Sequence, residues 1–263
     1  MSILILAAGS EIAQANVRLF LARGEKTLLA VRNMEACDRF METLPVEQRA
    51  NAVALRYDAF EDIKTPTHAE AFVERVLDFS RDTFGEEIHA VYVAQGVLIS
   101  SCREHWAQEL EACFFINFTS VAYFLESFAQ RMERAGENGA KVGGAKRWIA
   151  VVASVAGDRG RFSNYPYGAS KAALDAYLSG LRARLFPHKI NLLTIKPGLT
   201  RTKMIRGLPQ ENSRTAVSPE RVAKDIDRAI RKDRCVLYTP WFWRWILLFT
   251  RIIPESLFRR LKF

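Results

Sequence analysis

Cysteine is scarce in this chain of 263 residues, and its four thiols are scattered, with no Cys-x-x-Cys pair. This pattern indicates reduced, mostly packing thiols in a cytoplasmic protein, and we expect no metal site. Long apolar runs are also missing, since none reaches the ~20 residues that cross a bilayer. Residues 3–8 are apolar, but no basic segment precedes them, so a secretory signal is not predicted.

Glycine is sparse in the first turn of the chain, which lies between a predicted strand and a predicted helix. The predicted elements are a strand over residues 2–7, a helix over residues 12–23 that is closed by Gly24, and a second strand over residues 26–31. Such a unit is where a dinucleotide binds. The turn has the sequence Leu-Ala-Ala-Gly-Ser-Glu-Ile-Ala over residues 6–13, with Gly9 as its single glycine.

Alanine and Glu11 stand where such a turn usually has glycines, but the turn can still bind a phosphate. Alanine takes little more room than glycine, so the N–H groups at the start of the helix can still meet a phosphate. The Glu11 carboxylate would repel a pyrophosphate, so we expect this side chain to point outward.

An acidic residue is missing at the end of the second strand, where a site for NAD places an Asp or Glu. The chain has Arg32 there, and a guanidinium suits the 2′-phosphate of NADP. We therefore expect NADP(H) to be preferred, with NAD(H) as the alternative. In the competing interpretation, Arg32 stacks on adenine or faces solvent.

The charge is unbalanced, with a formal net charge of +9. Residues 231–263 contribute eight Lys or Arg against two acids, a local net of +6. Such an excess favours nucleic acid, a membrane surface or an anionic ligand as a partner. The hydrophobic fraction of 49% is ample for a core, so the chain is not a disordered one.

The most informative stretch is residues 154–171, which contains Ser154, Tyr167 and Lys171. The last two are four positions apart and share one face of a predicted helix. An ammonium beside a phenol lowers the pKa of the phenol, which is ordinarily near 10. Ser154 follows an apolar run over residues 148–153, predicted to be a buried strand, and its hydroxyl could hold a substrate carbonyl. These groups suit proton transfer at an oxygen while hydride moves at the attached carbon.

This pattern resembles the short-chain dehydrogenase/reductase family. Asn117 in the preceding predicted helix and Lys196-Pro197-Gly198 after the next strand strengthen the resemblance, which covers nearly the whole chain. It implies an α/β fold, with a single doubly wound Rossmann-type parallel sheet and helices on both faces, over residues 1–240. In the competing interpretation, Tyr167 and Lys171 are a pair on an ordinary surface helix.

The resemblance implies a role for each motif residue. Tyr167 is the general acid in the direction of reduction, and Lys171 lowers its pKa and positions the cofactor ribose. Ser154 holds the carbonyl, and Asn117 holds a water that links the lysine to solvent. The alternative for Asn117, among its aromatic neighbours, is a satisfied core amide.

The implied cofactor site follows successive strands. Asp58 contacts the adenine amino group, and Gly96 lets the backbone lie against the nicotinamide ribose. Gln95 departs from the family's Asn-Ala-Gly triplet. The expected cofactor-binding residues are Ala8, Gly9, Ser10, Glu11, Ile12, Arg32, Asp58, Ala94, Gln95, Gly96, Tyr167, Lys171, Pro197, Gly198, Thr200 and Thr202.

Periodicity predicts the remaining elements. The expected strands cover residues 51–57, 88–94, 189–196 and 235–238, and the expected helices cover residues 67–84, 104–134 and 165–186. Residues 136–146 are rich in Gly and Lys and favour a surface hairpin. Residues 203–216 lack periodicity and favour a mobile substrate lid. Ser218 and Pro219 open a last helix as its N-cap and first residue.

The expected substrate contacts are Ser154, Arg159, Arg161 and Asn164, in the loop between the strand and the catalytic helix. Arginine makes bidentate contacts with phosphate, so the two arginines are expected to meet a phosphate on the substrate. The alternative for them is a pair of salt bridges at the surface or at a subunit interface.

The tail, residues 241–263, combines three tryptophans and an apolar run with interleaved Arg and Lys. Tryptophan and basic residues together favour a membrane interface, and the run is too short to span, so the tail is expected to lie on the inner face of the membrane. The alternative is a helix pair packed on the domain or on a second subunit. Nucleic-acid binding is not expected, because no polar face gathers the basic residues. A chain that ends at Pro240 is expected to stay folded.

Within the family, one subgroup is most similar, the keto-reductase component of the decaprenylphosphoryl-ribose 2-epimerase system. The shared motifs are Ser10-Glu11-Ile12, the Arg-x-Arg of residues 159–161, and Ile-Pro-Glu-Ser-Leu-Phe-Arg over residues 253–259. This resemblance implies reduction of a 2-keto sugar on a polyprenyl phosphate, with a flavin oxidase as partner. A homodimer or homotetramer is expected.

Two other functions stay open at this point. One is reduction of another lipid ketone, of the 3-ketoacyl or sphingoid type. The other is a degenerate family member that only binds partners, which the poor glycine turn favours and the complete Asn117, Ser154, Tyr167 and Lys171 set disfavours.

Overall fold

Seven short apolar segments form the strands of one parallel sheet in the computed structural model, which describes residues 2–99, 106–137 and 146–260. The strands are β1 (Ser2–Leu6), β2 (Lys26–Val31), β3 (Ala52–Arg56), β4 (Ile88–Val93), β5 (Trp148–Val152), β6 (Asn191–Pro197) and β7 (Val236–Thr239). Their order across the sheet is β3-β2-β1-β4-β5-β6-β7, and every neighbouring pair is parallel.

Helices connect the strands. They are α1 (Glu11–Leu21), α2 (Met34–Glu42), α3 (Val46–Arg49), α4 (Ala59–Asp62), α5 (Pro66–Phe84), α6 (Trp106–Phe114), α7 (Ser120–Glu137), α8 (Tyr165–Leu185), α9 (Pro219–Arg231), α10 (Trp243–Ile252) and α11 (Glu255–Phe258). The local signals act as the sequence predicts. Ser218 accepts a hydrogen bond from the Arg221 N–H at the start of α9, and Gly24 after α1 has a φ of 77°, in the left-handed region.

Both faces of the sheet are covered, which confirms the predicted doubly wound architecture. In β1, Leu4 and Leu6 face a core layer shared with α5, α7 and α8. Ile3 and Ile5 face the opposite layer, which α1, α2 and α9 complete. Burial on both sides explains why the strands are continuous apolar runs and do not alternate with polar residues.

The helix predicted over residues 104–134 is interrupted. A π-helical turn, Phe115–Thr119, separates α6 from α7 and contains Asn117. Such turns are rare and often lie at functional sites. The segment Ala107–Ala135 is long and apolar enough to cross a membrane, yet 50% of its apolar window is buried inside the protein, because α7 packs on the sheet.

Several sequence predictions differ from the structure. Short helices α2, α3 and α4 were not predicted. The segment of residues 203–216, called the lid after its predicted role, contains two 3-10 turns, Lys203–Ile205 and Pro209–Asn212. The predicted hairpin over residues 136–146 lies almost wholly outside the described residues. The start of the helix predicted from residue 104, Cys102, and the last three residues of the tail lie outside them as well. The other cysteines, Cys37, Cys113 and Cys235, are free thiols.

Candidate active site

The carboxyl ends of the parallel strands bring most of the predicted site residues to one edge of the sheet. β1 and β4 are neighbours there although they are not consecutive in sequence, so their connections diverge and leave a crevice. Gly96 follows β4, Ser154 follows β5 and Gly198 follows β6. The catalytic helix α8 begins beside them.

Tyr167 lies in the first turn of α8 and is only 8% exposed. Burial raises the pKa of its phenol, while a hydrogen bond with Ser154 lowers it by a smaller amount. The sequence predicted a lowered pKa, and the structure corrects the direction. The physical reason is that the phenolate would lose its hydration, and the ammonium of Lys171 lies 6.0 Å from the centre of the ring.

Lys171 lies one turn further along α8 and is 2% exposed. Its Nζ donates to the backbone carbonyl of Val152 at 3.1 Å and to that of Gln95 at 3.4 Å. No carboxylate forms an ion pair with this ammonium among the residues that the structure describes. Burial therefore lowers the pKa of Lys171 to about 8, which brings its proton within reach of exchange near neutral pH.

Asn117 is fully buried and its amide is satisfied by protein groups. Its Oδ1 accepts from the Val97 N–H at 2.8 Å, and its Nδ2 donates to the Val97 carbonyl at 2.9 Å and to the Ser170 hydroxyl at 3.0 Å. The amide thus ties the segment after β4 to the catalytic helix. This network corresponds to the alternative interpretation from sequence, and the water relay stays a prediction.

Gly96 and its neighbours form the tightest part of the site. A Cβ at Gly96 would lie 3.2 Å from Nζ of Lys171 and 3.3 Å from Oδ1 of Asn117. Gln95 was expected to contact a cofactor, but its side chain points into the core. There it accepts from the Tyr57 hydroxyl at 2.5 Å and donates to the Ser120 hydroxyl at 2.8 Å. Only the backbone of Gln95 faces Lys171.

The first turn keeps its shape without the expected glycines. Ala7 takes a φ of 60°, a left-handed conformation that disfavours residues with a Cβ. The side chains of Ala8 and Ile12 are buried in the core, so only their backbone could contact a ligand. Gly9 is open, with nothing within 4 Å of a Cβ at that position. Ser10 is the N-cap of α1 and makes no side-chain capping hydrogen bond, which leaves the first N–H groups for another acceptor.

The Glu11 side chain contacts the lid. From the sequence, this side chain was expected only to point outward. Its Oε2 accepts from the backbone N–H of Lys203 at 2.5 Å, and its Oε1 lies 3.8 Å from the Arg206 guanidinium. The carboxylate is therefore drawn away from the phosphate position at the start of α1. It joins the first turn of the chain to the segment after β6.

The residues expected at the adenine end lie at the same sheet edge. Arg32 is exposed after β2. Asp58 follows β3, but its carboxylate caps α4 by accepting from the Phe60 N–H at 2.9 Å. One oxygen of this carboxylate is thus already engaged, while Arg32 faces outward where a phosphate could reach it.

The segment after β6 is held by its own hydroxyls. Thr200 donates to the Gly198 carbonyl at 3.2 Å, and Thr202 donates to the Thr200 carbonyl at 3.3 Å. Pro197 ends β6. A Cβ at Gly198 would lie 1.9 Å from the indole nitrogen of Trp243, a tail residue that the sequence interpretation did not place in the site.

Arg159 was predicted to meet a substrate phosphate, and the structure corrects this. Its guanidinium donates to the Ile253 carbonyl at 2.9 Å and to Glu255 at 2.9 Å, and it lies 3.7 Å from the centre of the Phe258 ring. It also donates to the Thr250 carbonyl. Three groups of the tail thus accept hydrogen bonds from this guanidinium, in agreement with the salt-bridge alternative.

Arg161 and Asn164 keep hydrogen-bonding capacity that the described residues do not fill, although the Arg161 guanidinium donates to the Val155 carbonyl at 3.5 Å. Arg161 is half-buried, and burial lowers its pKa. No carboxylate within the described ranges forms an ion pair with it. Asn164 precedes α8, and its Oδ1 is shielded without a hydrogen-bond partner among the residues described. A desolvated cation and an unpaired acceptor near Ser154 suit an anionic, hydroxylated ligand.

The buried carboxylate of Asp158 links this loop to the tail. It accepts from Lys196 at 2.7 Å, from the Tyr238 hydroxyl at 3.0 Å and from Arg251 of α10 at 2.8 Å. The sequence interpretation missed this residue, because its partners are distant in sequence and only the fold brings them together. The tail therefore borders the substrate loop, the segment of residues 154–164 in which the substrate contacts are expected.

Comparison with known proteins identifies the family. The sequence model described as short chain dehydrogenase matches residues 1–213. The chain belongs to the short-chain dehydrogenase family. It is accordingly an oxidoreductase of the short-chain dehydrogenase type. An uncharacterized oxidoreductase of Mycobacterium tuberculosis is 28% identical over 254 residues, which are 96% of this chain and 92% of that protein.

Solved short-chain dehydrogenases share the fold. One from Sphingobium yanoikuyae, in complex with NADPH, has a TM-score of 0.77 and 21% identity over 97% of each chain. One from Burkholderia phymatum, in complex with NAD, has a TM-score of 0.71 and 20% identity over 90% of this chain and 88% of that one. At this identity, the likeness describes the architecture alone.

The residues of this short-chain dehydrogenase fit a dinucleotide. The uncapped start of α1 and the open space at Gly9 leave room for a pyrophosphate. Gly96 leaves the backbone bare beside Lys171. The Glu11 carboxylate, which would repel a pyrophosphate at this turn, is engaged with the lid.

Proposed function

We propose that this protein is a reductase of ketones that uses NADPH in preference to NADH. The observation that carries the proposal is the buried contact of Tyr167 with Ser154, with Lys171 one turn away, at the carboxyl edge of the sheet. Exposed Arg32 at the end of β2 and the NADPH-bound neighbour support the choice of cofactor.

The residues divide the work as follows. When bound, the nicotinamide cofactor supplies hydride to the carbonyl carbon. Ser154 holds the carbonyl oxygen, and Tyr167 donates its proton to that oxygen as it becomes an alkoxide. The raised pKa keeps Tyr167 protonated at neutral pH, which suits a donor in the direction of reduction. Lys171 positions the ribose and favours return of the proton to the tyrosine, with Asn117 as the proposed support of a water relay.

The substrate proposed is a 2-keto sugar carried on a polyprenyl phosphate. The half-buried guanidinium of Arg161 without an ion-pair partner among the described residues favours a phosphate. The unpaired Oδ1 of Asn164 favours a hydroxyl donor, which a sugar supplies. Under this proposal, a flavin oxidase provides the ketone, and the reductase acts as a homodimer or homotetramer.

The tail is proposed to attach the protein to the inner face of the membrane. Trp243, Leu247 and Phe258 face the domain. Seven apolar residues in the described part of the tail are exposed, namely Trp241, Trp245, Ile246, Leu248, Phe249, Ile252 and Leu257. Arginines at positions 244, 251, 259 and 260 are exposed among them, which suits the anionic surface of a bilayer.

Flotation with anionic vesicles tests the attachment. The variant Phe249→Ser/Ile252→Ser removes two side chains that are 68% and 69% exposed, and we expect it to lose vesicle binding while keeping its melting temperature. Phe186→Ser is the matched control, because Phe186 is 81% exposed at the end of α8, outside the tail. Equal binding by both variants and the wild type would refute the attachment.

A panel of ketones tests the substrate. We expect consumption of NADPH with a 2-keto pentose on a polyprenyl phosphate, and less with the same sugar phosphate lacking the lipid. A preference for a 3-ketoacyl or 3-keto sphingoid substrate would favour the second function, which the apolar outer face of the tail also suits. Binding of NADPH without reduction of any ketone would favour a binding protein.

A further inference from the structure

Trp243, on the inner face of the tail, lies at the edge of the sheet where the catalytic residues are. Trp243 is 9% exposed and packs with Val155 and Leu247, while Leu199, Tyr238 and Phe242 complete the cluster. Val155 directly follows Ser154, and Leu199 directly follows Gly198. The indole therefore lies between the loop that holds the substrate carbonyl and the segment after β6.

Gly198 is shaped for this ring. A Cβ at that position would stand 1.9 Å from Nε1, 2.3 Å from Cε2 and 2.4 Å from Cδ1 of Trp243. Real Cβ contacts are never so short, so any side chain at position 198 would displace the indole. The absence of a side chain at Gly198 is thus what admits a tail residue to the edge of the sheet where the site lies.

The indole N–H of Trp243 is a buried hydrogen-bond donor. Nε1 of Trp243 is shielded and has no hydrogen-bond partner among the described residues. A buried donor left unpaired loses its hydrogen bonds to water without replacement, which destabilises the fold. Buried tryptophans ordinarily find a partner for this N–H, and phenylalanine would keep an aromatic ring there without the unpaired donor.

The rest of the tail is firmly held. Arg159 binds the backbone carbonyl of Ile253 at 2.9 Å, and Asp158 binds Arg251 at 2.8 Å. These contacts fix the far end of α10, whereas Trp243 is its first residue. A rotation of the Trp243 side chain alone would leave the anchors in place.

We propose that Trp243 is a specificity-determining residue, which turns from Gly198 when a ketone binds and donates its indole N–H to a substrate oxygen beside the carbonyl. The acceptor is a hydroxyl or ether oxygen, so the site selects hydroxylated ketones over plain ones. This inference rests on the proposed reductase function. It deepens that function, because it separates a keto sugar from a 3-ketoacyl or sphingoid chain by the chemistry next to the reacting carbon.

The test compares Trp243→Phe with the wild type on two soluble ketones that differ only in a hydroxyl next to the carbonyl. We expect a roughly three- to tenfold fall in kcat/KM for the hydroxylated ketone, as for loss of one hydrogen bond, and little change for the plain ketone. The affinity for NADPH, measured by fluorescence titration, should stay the same. The melting temperature without ligands should stay close to that of the wild type, because removal of the unpaired donor offsets the smaller volume of the buried ring.

Phe186→Leu is the control, since Phe186 is an aromatic residue that is 81% exposed at the end of α8, outside the tail. It should leave both kcat/KM values unchanged. An equal fall on both ketones would show a purely structural role for Trp243 and overturn the proposal. A loss of NADPH affinity would also overturn it, because the acceptor would then be the amide of the cofactor.

Failure of the proposed function has a different signature. A wild-type protein that binds NADPH and reduces neither ketone, nor any ketone of the panel, refutes the reductase and this inference with it. A wild-type protein that reduces both ketones, with an unchanged preference in Trp243→Phe, refutes the role of Trp243 alone.

Discussion

The ammonium of Lys171 lies 6.0 Å from the centre of the Tyr167 ring and is held by the backbone carbonyls of Val152 and Gln95. With no carboxylate paired to it among the described residues, burial dominates, and its pKa falls from 10.5 to about 8. The same burial raises the pKa of Tyr167. The two pKa values, which are similar in water, therefore move apart, and the tyrosine holds its proton more tightly than the lysine does.

The buried lysine predicts a dependence of stability on pH. A lysine with a lowered pKa in the folded state destabilises the fold fully below that value, and the penalty fades as pH rises toward the pKa of the unfolded chain. The window therefore runs from about pH 8 to pH 10.5. The full penalty corresponds to about 3 kcal/mol.

Urea unfolding of Lys171→Met against the wild type measures this. We expect the wild type to gain stability relative to the variant as pH rises from 8 to 10.5. Lys224→Met, at an exposed lysine of α9, serves as the control and should follow the wild type. A constant difference between Lys171→Met and the wild type across this range would contradict the lowered pKa.

We expect replacement of Arg159 to lower stability and replacement of Arg161 to weaken substrate binding. Arg159→Ala removes contacts to the Ile253 carbonyl and Glu255, so we expect a loss of about 2 kcal/mol in the free energy of unfolding. Arg161→Ala should leave stability nearly unchanged and raise KM for a phosphate-bearing ketone roughly tenfold. Kinetics and thermal melts on both variants decide this, and the reverse pattern would refute the assignment.

Cofactor preference should depend on Arg32. We expect Arg32→Ala to weaken NADPH binding roughly tenfold and to leave NADH binding nearly unchanged, because only NADPH carries the 2′-phosphate. Fluorescence titration with both cofactors measures it, with Arg39→Ala on α2 as an exposed control. No loss of NADPH affinity in Arg32→Ala would show that this arginine only faces solvent.

Much of the fold could be predicted because local sequence patterns determine its strands and helices. The strand over residues 26–31 agrees with β2 at both ends, and Ser218 and Pro219 start α9 as predicted. The position of Ser154, Tyr167 and Lys171 at one sheet edge follows from parallel strands, since each loop after a strand emerges at the same side.

Other features could not be predicted, because they depend on contacts between distant segments. Gln95 points into the core because Tyr57, from after β3, offers it a hydroxyl there. Burial, which no local pattern reveals, reversed the direction expected for the pKa of Tyr167.

The tail differs most from its expected arrangement, because Trp243, Leu247 and Phe258 are buried against the domain. A chain that ends at Pro240 would expose the apolar surface beneath them, and its folding stays a prediction. The inner face of the tail packs as the alternative interpretation held, while the exposed apolar face keeps membrane attachment as a proposal. Apolar content alone could not divide the tail into these two faces, because both are rich in aromatic and aliphatic residues.

The role of Tyr167 is the central claim, and one comparison tests it most directly. NADPH consumption with a ketone is followed for Tyr167→Phe and for Tyr165→Phe, a control at an exposed tyrosine two residues earlier, alongside NADPH binding by fluorescence. We predict that Tyr167→Phe loses roughly 10²- to 10⁴-fold in kcat, as for removal of a general acid, and still binds NADPH, while Tyr165→Phe keeps wild-type turnover. Near-wild-type turnover by Tyr167→Phe would contradict the account.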